Sequence, residues 1–219
     1  MLLLIFLSLL VLTNLALIGF YAPVEQTMGI VQKIFYYHLS SAWLGMVAFV
    51  VVFGASICFL RTRNIKWTII ALASAELGTI FTTLVLITGR LWARSIWNTW
   101  WTWDPRLMTT LVMWFMYLAY ILLHHSGMVE EQTSRIAAIY GIISFVNVPL
   151  VFFSIRWWRS LHPVLITTSS SGLSSEMLIT LLVSLFTFLV LYVTLMRIRV
   201  RILTLQQQIL SISHRRRRG

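Results

Sequence analysis

Six apolar runs, each near the length that crosses a lipid bilayer, leave this chain little choice of fold. They cover residues 2–20, 39–60, 67–88, 107–123, 136–154 and 177–196. About 20 helical residues span the ~30 Å hydrocarbon layer. Within that layer only a helix or a closed barrel satisfies every backbone N–H and C=O. Continuous apolar runs of this length, without period-two alternation, read as helices. Six of them in 219 residues leave only short connections. The predicted fold class is therefore all-α, a polytopic membrane protein of six transmembrane helices forming one membrane domain over residues 1–219. With 59% of the residues hydrophobic and 11% charged, the chain lacks the polar surface to cover a soluble core. The first run reads as a span rather than a cleaved signal, because no basic residue precedes it and no small-x-small site follows it.

The net charge of +11 is distributed as a topology signal and not as a nucleic-acid patch. Eleven cations sit at Arg61, Arg63, Lys66, Arg135, Arg197, Arg199, Arg201 and 215–218, against six at Lys33, Arg90, Arg94, Arg106, Arg156 and Arg159. By the positive-inside rule the first group is cytoplasmic, which places both termini inside. The run 215–218 reads either as a solvated tail or as a contact with anionic headgroups or a partner. The single cysteine, Cys58, excludes an intramolecular disulfide and reads as a small apolar filler.

In this topology three segments face outward, about 21–38, 89–106 and 155–176. Only His38 and His162 of the five histidines fall there, each beside aromatic residues. The tryptophans are lopsided too: Trp43, Trp92, Trp97, Trp100, Trp101, Trp103, Trp157 and Trp158 lie on the outer side, against Trp67 on the inner. An aromatic belt of headgroup-level indoles would serve both interfaces. The alternative is an outer aromatic platform for a large, flat, apolar ligand. Neutral imidazole is a good iron ligand, so two histidines flanking such a platform point towards heme.

Asp104-Pro105-Arg106 precedes the fourth span. Asp is a favoured N-cap and Pro a favoured first helical residue. Arg106 then opposes the helix dipole and calls for an anionic neighbour, either Asp104 or a ligand carboxylate such as a heme propionate. Arg156, Arg159 and His162 are spaced three apart and share a face if 155–162 is a short interfacial helix. That face could hold propionates or could simply snorkel. Glu76 is the one acidic residue inside a span, with no cation inside a span to pair with it. Such a residue suggests a proton or substrate path or a contact with a partner helix. Ser74, Thr79, Thr82 and Thr83 around it could bond neighbouring helices, and Ser174 with Glu176 reads as the start of the last helix.

The string Trp100-Trp101-Thr102-Trp103-Asp104-Pro105-Arg106-Leu107 resembles the tryptophan-rich WWD signature of heme-handling proteins of cytochrome c biogenesis. With six spans, a histidine before the second in Tyr37-His38-Leu39-Ser40-Ser41-Ala42-Trp43, and the Trp-Trp-x-x-Leu-His element ending at His162, the chain resembles the cytochrome c maturation protein C family, also called heme exporter protein C. The resemblance covers roughly residues 30–196. It departs at Ser40, Pro105 and Met108, and at Arg156 and Arg159, which replace an acidic and an amide residue. The resemblance implies heme b held axially by His38 and His162. It implies a platform of Trp92, Trp97, Trp100, Trp101, Trp103 and Asp104, with Arg106, Arg156 and Arg159 near the propionates. It implies, further, delivery of heme at the outer, periplasmic face to a membrane-anchored periplasmic heme chaperone. The implied partners are an ABC transporter's ATPase and membrane subunits, a small membrane subunit and the lipid bilayer, with no nucleic acid. The implied location is the bacterial inner membrane, with the mitochondrial inner membrane as the alternative. No nucleophile or paired carboxylates argue for an enzyme, so the chain reads as a carrier. Rival readings are a membrane electron-transfer cytochrome, a solute transporter or pore centred on Glu76, and a scaffold subunit without a pigment.

Overall fold

The computed structural model of the chain describes residues 2–26, 28–125, 130–158 and 173–218. Among them the architecture is helical throughout, without a β-strand. Helix α1 (Leu2–Ala16) widens into a π turn at Leu17–Tyr21, and a 3-10 turn at Ile30–Lys33 leads into α2 (Ile34–Thr62). Then come α3 (Ile65–Trp97), α4 (Pro105–His124), α5 (Glu130–Phe145), α6 (Asn147–Trp157) and α7 (Ser175–Arg218). Six helical segments among the described residues are long and apolar enough to cross a membrane: Leu2–Tyr21, Ile30–Thr62, Ile65–Trp97, Pro105–His124, Glu131–Ser154 and Ser175–Leu210. The six-span expectation holds, and the protein is an integral membrane protein.

Three boundaries differ from the sequence reading, each for a local reason. The third span continues to Trp97 and stops where Asn98 takes the left-handed conformation (φ 52°), which Asn tolerates better than most residues. The fifth span is broken at Val146 between α5 and α6. Pro149 lacks an N–H and its ring clashes with the carbonyl four residues earlier, at Phe145, where α5 ends. The last helix runs through to Arg218, with the Ser174 hydroxyl accepting from the Met177 N–H at 3.3 Å as its cap.

The heart of the bundle is the antiparallel pair α2 and α3. Arg63 turns the chain in the left-handed region (φ 53°), and the Asn64 side chain caps α3 by accepting from the Lys66 N–H at 3.1 Å. Association of helices in lipid draws on close packing and hydrogen bonds rather than on hydrophobic burial. Gly45 and Gly78 provide the close approach: a Cβ at Gly78 would stand 2.5 Å from the Phe49 ring and 3.0 Å from the Ala48 Cβ. The Ser74 hydroxyl donates to the Ala48 carbonyl at 2.7 Å, which leaves its oxygen to accept from the Tyr192 hydroxyl of α7 at 2.8 Å. Phe49 stacks on Tyr117 of α4, with centroids 3.6 Å apart. On the outside α1 is fastened to α7 by the buried Asn14, whose carbonyl accepts from the Ser184 hydroxyl at 2.7 Å.

Glu76 has a partner that the sequence reading does not give it. Arg199 of α7 grips its carboxylate with two nitrogens, at 2.5 and 2.6 Å. The side chains are 17% and 33% exposed. Arg199 lies three residues past the end expected for the last span, but α7 continues as helix and carries it alongside α3. Glu76 is therefore a tie between helices. A single Glu76→Gln or Arg199→Leu substitution leaves the other group unpaired and is expected to lower stability by on the order of 1–3 kcal/mol. The double variant should lose less than the sum, as read from thermal unfolding midpoints in detergent.

Candidate functional site

The end of the bundle formed by the start of α2, the end of α3 and the start of α4 gathers most of the described candidate residues. The α2–α3 hairpin sets the level. His38 lies 24 residues before Thr62 (62 − 38), and Thr88 lies 23 after Ile65 (88 − 65), so the two antiparallel helices bring them side by side. His38 Nδ1 is 2.9 Å from the Thr88 hydroxyl oxygen, and that hydroxyl donates to the Leu84 carbonyl at 2.6 Å. One turn further along α3, Trp92 presents its ring to His38 edge-on at 5.9 Å, and to Phe35 at 6.1 Å. Between them Gly89 leaves room for the imidazole: a Cβ there would come within 3.2 Å of His38 Cε1. The result is a histidine 8% exposed and held on two sides.

The tryptophan-rich stretch is shorter as a loop than the sequence suggests. Residues 89–97 are the last turns of α3, so Trp92 and Trp97 are on a helix and only 98–104 are irregular. The loop is braced by cations over indole faces, Arg90 over Trp101 at 5.1 Å and Arg94 over Trp100 at 5.7 Å. Arg94 also donates to the Asn98 carbonyl at 2.9 Å and to the Asn98 side chain. Within the loop Trp101 meets Trp103 edge-on at 6.1 Å, and the Thr99 hydroxyl donates to the Trp101 carbonyl at 3.0 Å. Trp97, Trp100 and Trp103 are exposed, whereas Trp92 and Trp101 are half-buried. Asp104 caps α4 by accepting from the Arg106 N–H at 2.9 Å, with Pro105 in the first turn. A second group of aromatics stands on the same bundle through α2 and α6: exposed Trp43 packs on Phe152, and exposed Trp157 stacks on Phe153 at 5.3 Å.

Arg106 and His38 border one cavity of about 30 Å³, together with Met46, Thr82, Thr110 and Val151. That is room for roughly one water molecule. Among the described residues no three His, Cys, Asp or Glu side chains gather to hold a bare metal ion.

Two expectations fall elsewhere. Arg159 and His162 lie outside the described residues, as does the Arg156 side chain. The short helix considered over 155–162 falls largely outside the described residues as well; within them α6 runs to Trp157 and Trp158 is extended (φ −125°, ψ 152°). The sequence reading also misses Thr88, Gly89, Arg90 and Arg94. Their signal is faint. Thr88 and Trp92 are four apart on one face of α3, as are Arg90 and Arg94, but nothing in the sequence says that His38, fifty residues away, packs against the first pair.

The sequence matches the protein family described as Heme exporter protein C over residues 1–214. A protein of that description from Bradyrhizobium diazoefficiens is 36% identical over 176 residues, which is 80% of this chain and 67% of the relative. One from Escherichia coli K12 is 33% identical over 185 residues, 84% of this chain and 75% of the relative. A mitochondrial protein of Marchantia polymorpha, described as ccmC-like and of cytochrome c biosynthesis, is 30% identical over 159 residues, 72% of this chain and 67% of its own length.

The Asp104 cap gives a test of what orders this end of the bundle. Asp104→Ala is expected to cost about 1 kcal/mol and Asp104→Asn far less, because Asn caps nearly as well. Fluorescence quenching of the tryptophans should report a looser loop only for the alanine variant.

Proposed function

We propose, from the premise that the chain belongs to the Heme exporter protein C family, that it takes part in cytochrome c maturation as a membrane carrier of heme. In this reading it holds heme b at one end of the bundle and passes it to a membrane-anchored heme chaperone. The observation that carries the reading is His38 itself: an imidazole held by Thr88 and Trp92 near the end of α3, from which a loop with exposed indoles, flat apolar surfaces, continues. The cavity beside His38 admits no macrocycle, so the cargo lies over the end of the bundle rather than between helices. His38 supplies one axial nitrogen and His162 the other. Trp92, Trp97, Trp100, Trp101 and Trp103 supply apolar contact, and Asp104 keeps the loop and α4 in register. Arg106, with Arg156 and Arg159, supplies positive charge for the propionates.

By charge placement that end faces the periplasm, with both termini cytoplasmic, in a bacterial inner membrane. An ABC transporter's ATPase and membrane subunits and a small membrane subunit complete the assembly. The chain's own side chains orient and release the cargo, and bond formation belongs to the chaperone. Glu76, matched by Arg199, serves the fold, which favours this reading over a pore centred on that carboxylate.

The test is an absorption spectrum of the protein purified from cells supplied with heme, compared with His38→Ala and His162→Ala. A Soret band is expected in the unaltered protein. It should weaken or shift in each variant and recover with added imidazole. Folded protein with no heme band in any of the three overturns the carrier reading.

A further inference from the structure

Proton counting at the Thr88 hydroxyl rests on the heme-carrier reading and extends it. That hydroxyl has a single hydrogen. It is spent on the Leu84 carbonyl, 2.6 Å away, which can only accept. The same oxygen lies 2.9 Å from His38 Nδ1, so at that contact the hydroxyl can act only as acceptor. His38 Nδ1 must therefore carry the hydrogen and donate it. A neutral imidazole with Nδ1 protonated has its lone pair on Nε2, the nitrogen able to bind a metal. Trp92 meets the ring edge-on at 5.9 Å, and a Cβ at Gly89 would stand 3.2 Å from Cε1, so the glycine leaves the imidazole the space it occupies.

We propose that Thr88 is a positioning residue for heme: through the chain Leu84 C=O, Thr88 hydroxyl, His38 Nδ1–H, it fixes the tautomer and the aim of His38 and increases the electron donation of Nε2 to iron. Ligating histidines commonly donate their second ring N–H, and losing the acceptor typically costs 10- to 100-fold in metal affinity. The acceptor here is a hydroxyl already polarised by its own bond to a carbonyl. Its basicity is therefore greater than that of a free serine or threonine side chain. The device is built before any heme arrives, so the ligand is set without a rearrangement when heme binds.

The experiment uses the full-length protein in detergent with heme as the probe, in the unaltered chain, Thr88→Val, Thr88→Ser and His38→Ala. Thr88→Val keeps the shape and removes the acceptor. It is expected to weaken heme binding about 10- to 100-fold and to move the midpoint potential positive, because a less electron-rich imidazole favours ferric iron less. Thr88→Ser should restore both. If Thr88→Val matches the unaltered chain in affinity and potential while His38→Ala loses heme, the positioning role is overturned and the ligand reading stands. If His38→Ala keeps unaltered heme, the ligand reading itself is overturned. A second measurement needs neither heme nor a folded Thr88→Val variant. In the heme-free protein labelled with 15N-histidine, the signal that vanishes in His38→Ala should show the Nδ1–H tautomer. An Nε2–H signal there overturns the proposal.

Discussion

The close approach of α2 and α3 is the constraint on which the rest of the molecule depends. In lipid there is no hydrophobic gain from bringing two apolar helices together, so contact must come from backbones near enough for dispersion and for side-chain-to-carbonyl hydrogen bonds. Gly45 and Gly78 make that distance possible, and Ser74 uses it by reaching the Ala48 carbonyl and receiving Tyr192. The other helices are laid on this pair. Phe49, pressed against the bare backbone at Gly78, is the ring on which Tyr117 of α4 stacks, and α7 is fixed at Tyr192 and again at the Glu76–Arg199 pair.

The same pair generates the site. An antiparallel hairpin aligns residues equidistant from its turn, so the Arg63–Asn64 turn decides that His38 faces Thr88 and not a residue one helical step away. A slip of one residue would rotate Thr88 about 100° around its helix and away from the imidazole. Polar groups at this end are thus placed by a tight turn at the other, roughly 35 Å away along the helix axes, and by the small residues between them.

The features legible in the sequence are those that depend on hydropathy, on capping chemistry and on a contiguous motif. Six spans, the Asp104 cap and the Ser174 start of α7 all rest on residues adjacent in the chain. The resemblance carried by the string from Trp100 to Leu107 points to the family that the comparisons support. What the sequence hides depends on which helix faces which. Glu76 looks unpaired there because Arg199 belongs to another helix and lies past the end of the apolar run, although the α-helix ignores that boundary. Thr88 is unremarkable among several threonines until His38 is placed beside it. The 89–106 stretch reads as a loop because its apolar run ends at Thr88, yet hydrogen bonding of the helix continues until Asn98 ends it.

That continuation has a mechanical consequence. Helix α3 is 33 residues long, about 50 Å at 1.5 Å per residue, and it is unbroken from the basic hairpin turn to the root of the tryptophan loop. It therefore behaves as a lever arm as well as a wall of the bundle. Pivoted at Ile65, a one-degree tilt moves Trp97 by roughly 0.9 Å, since displacement scales with that length. The indoles and the cations braced over them travel together with it, because Arg90 and Arg94 ride on the same arm as the loop they clamp. The fine adjustment of the aromatic surface on one side of the membrane is thus set by how firmly a few residues are seated on the other.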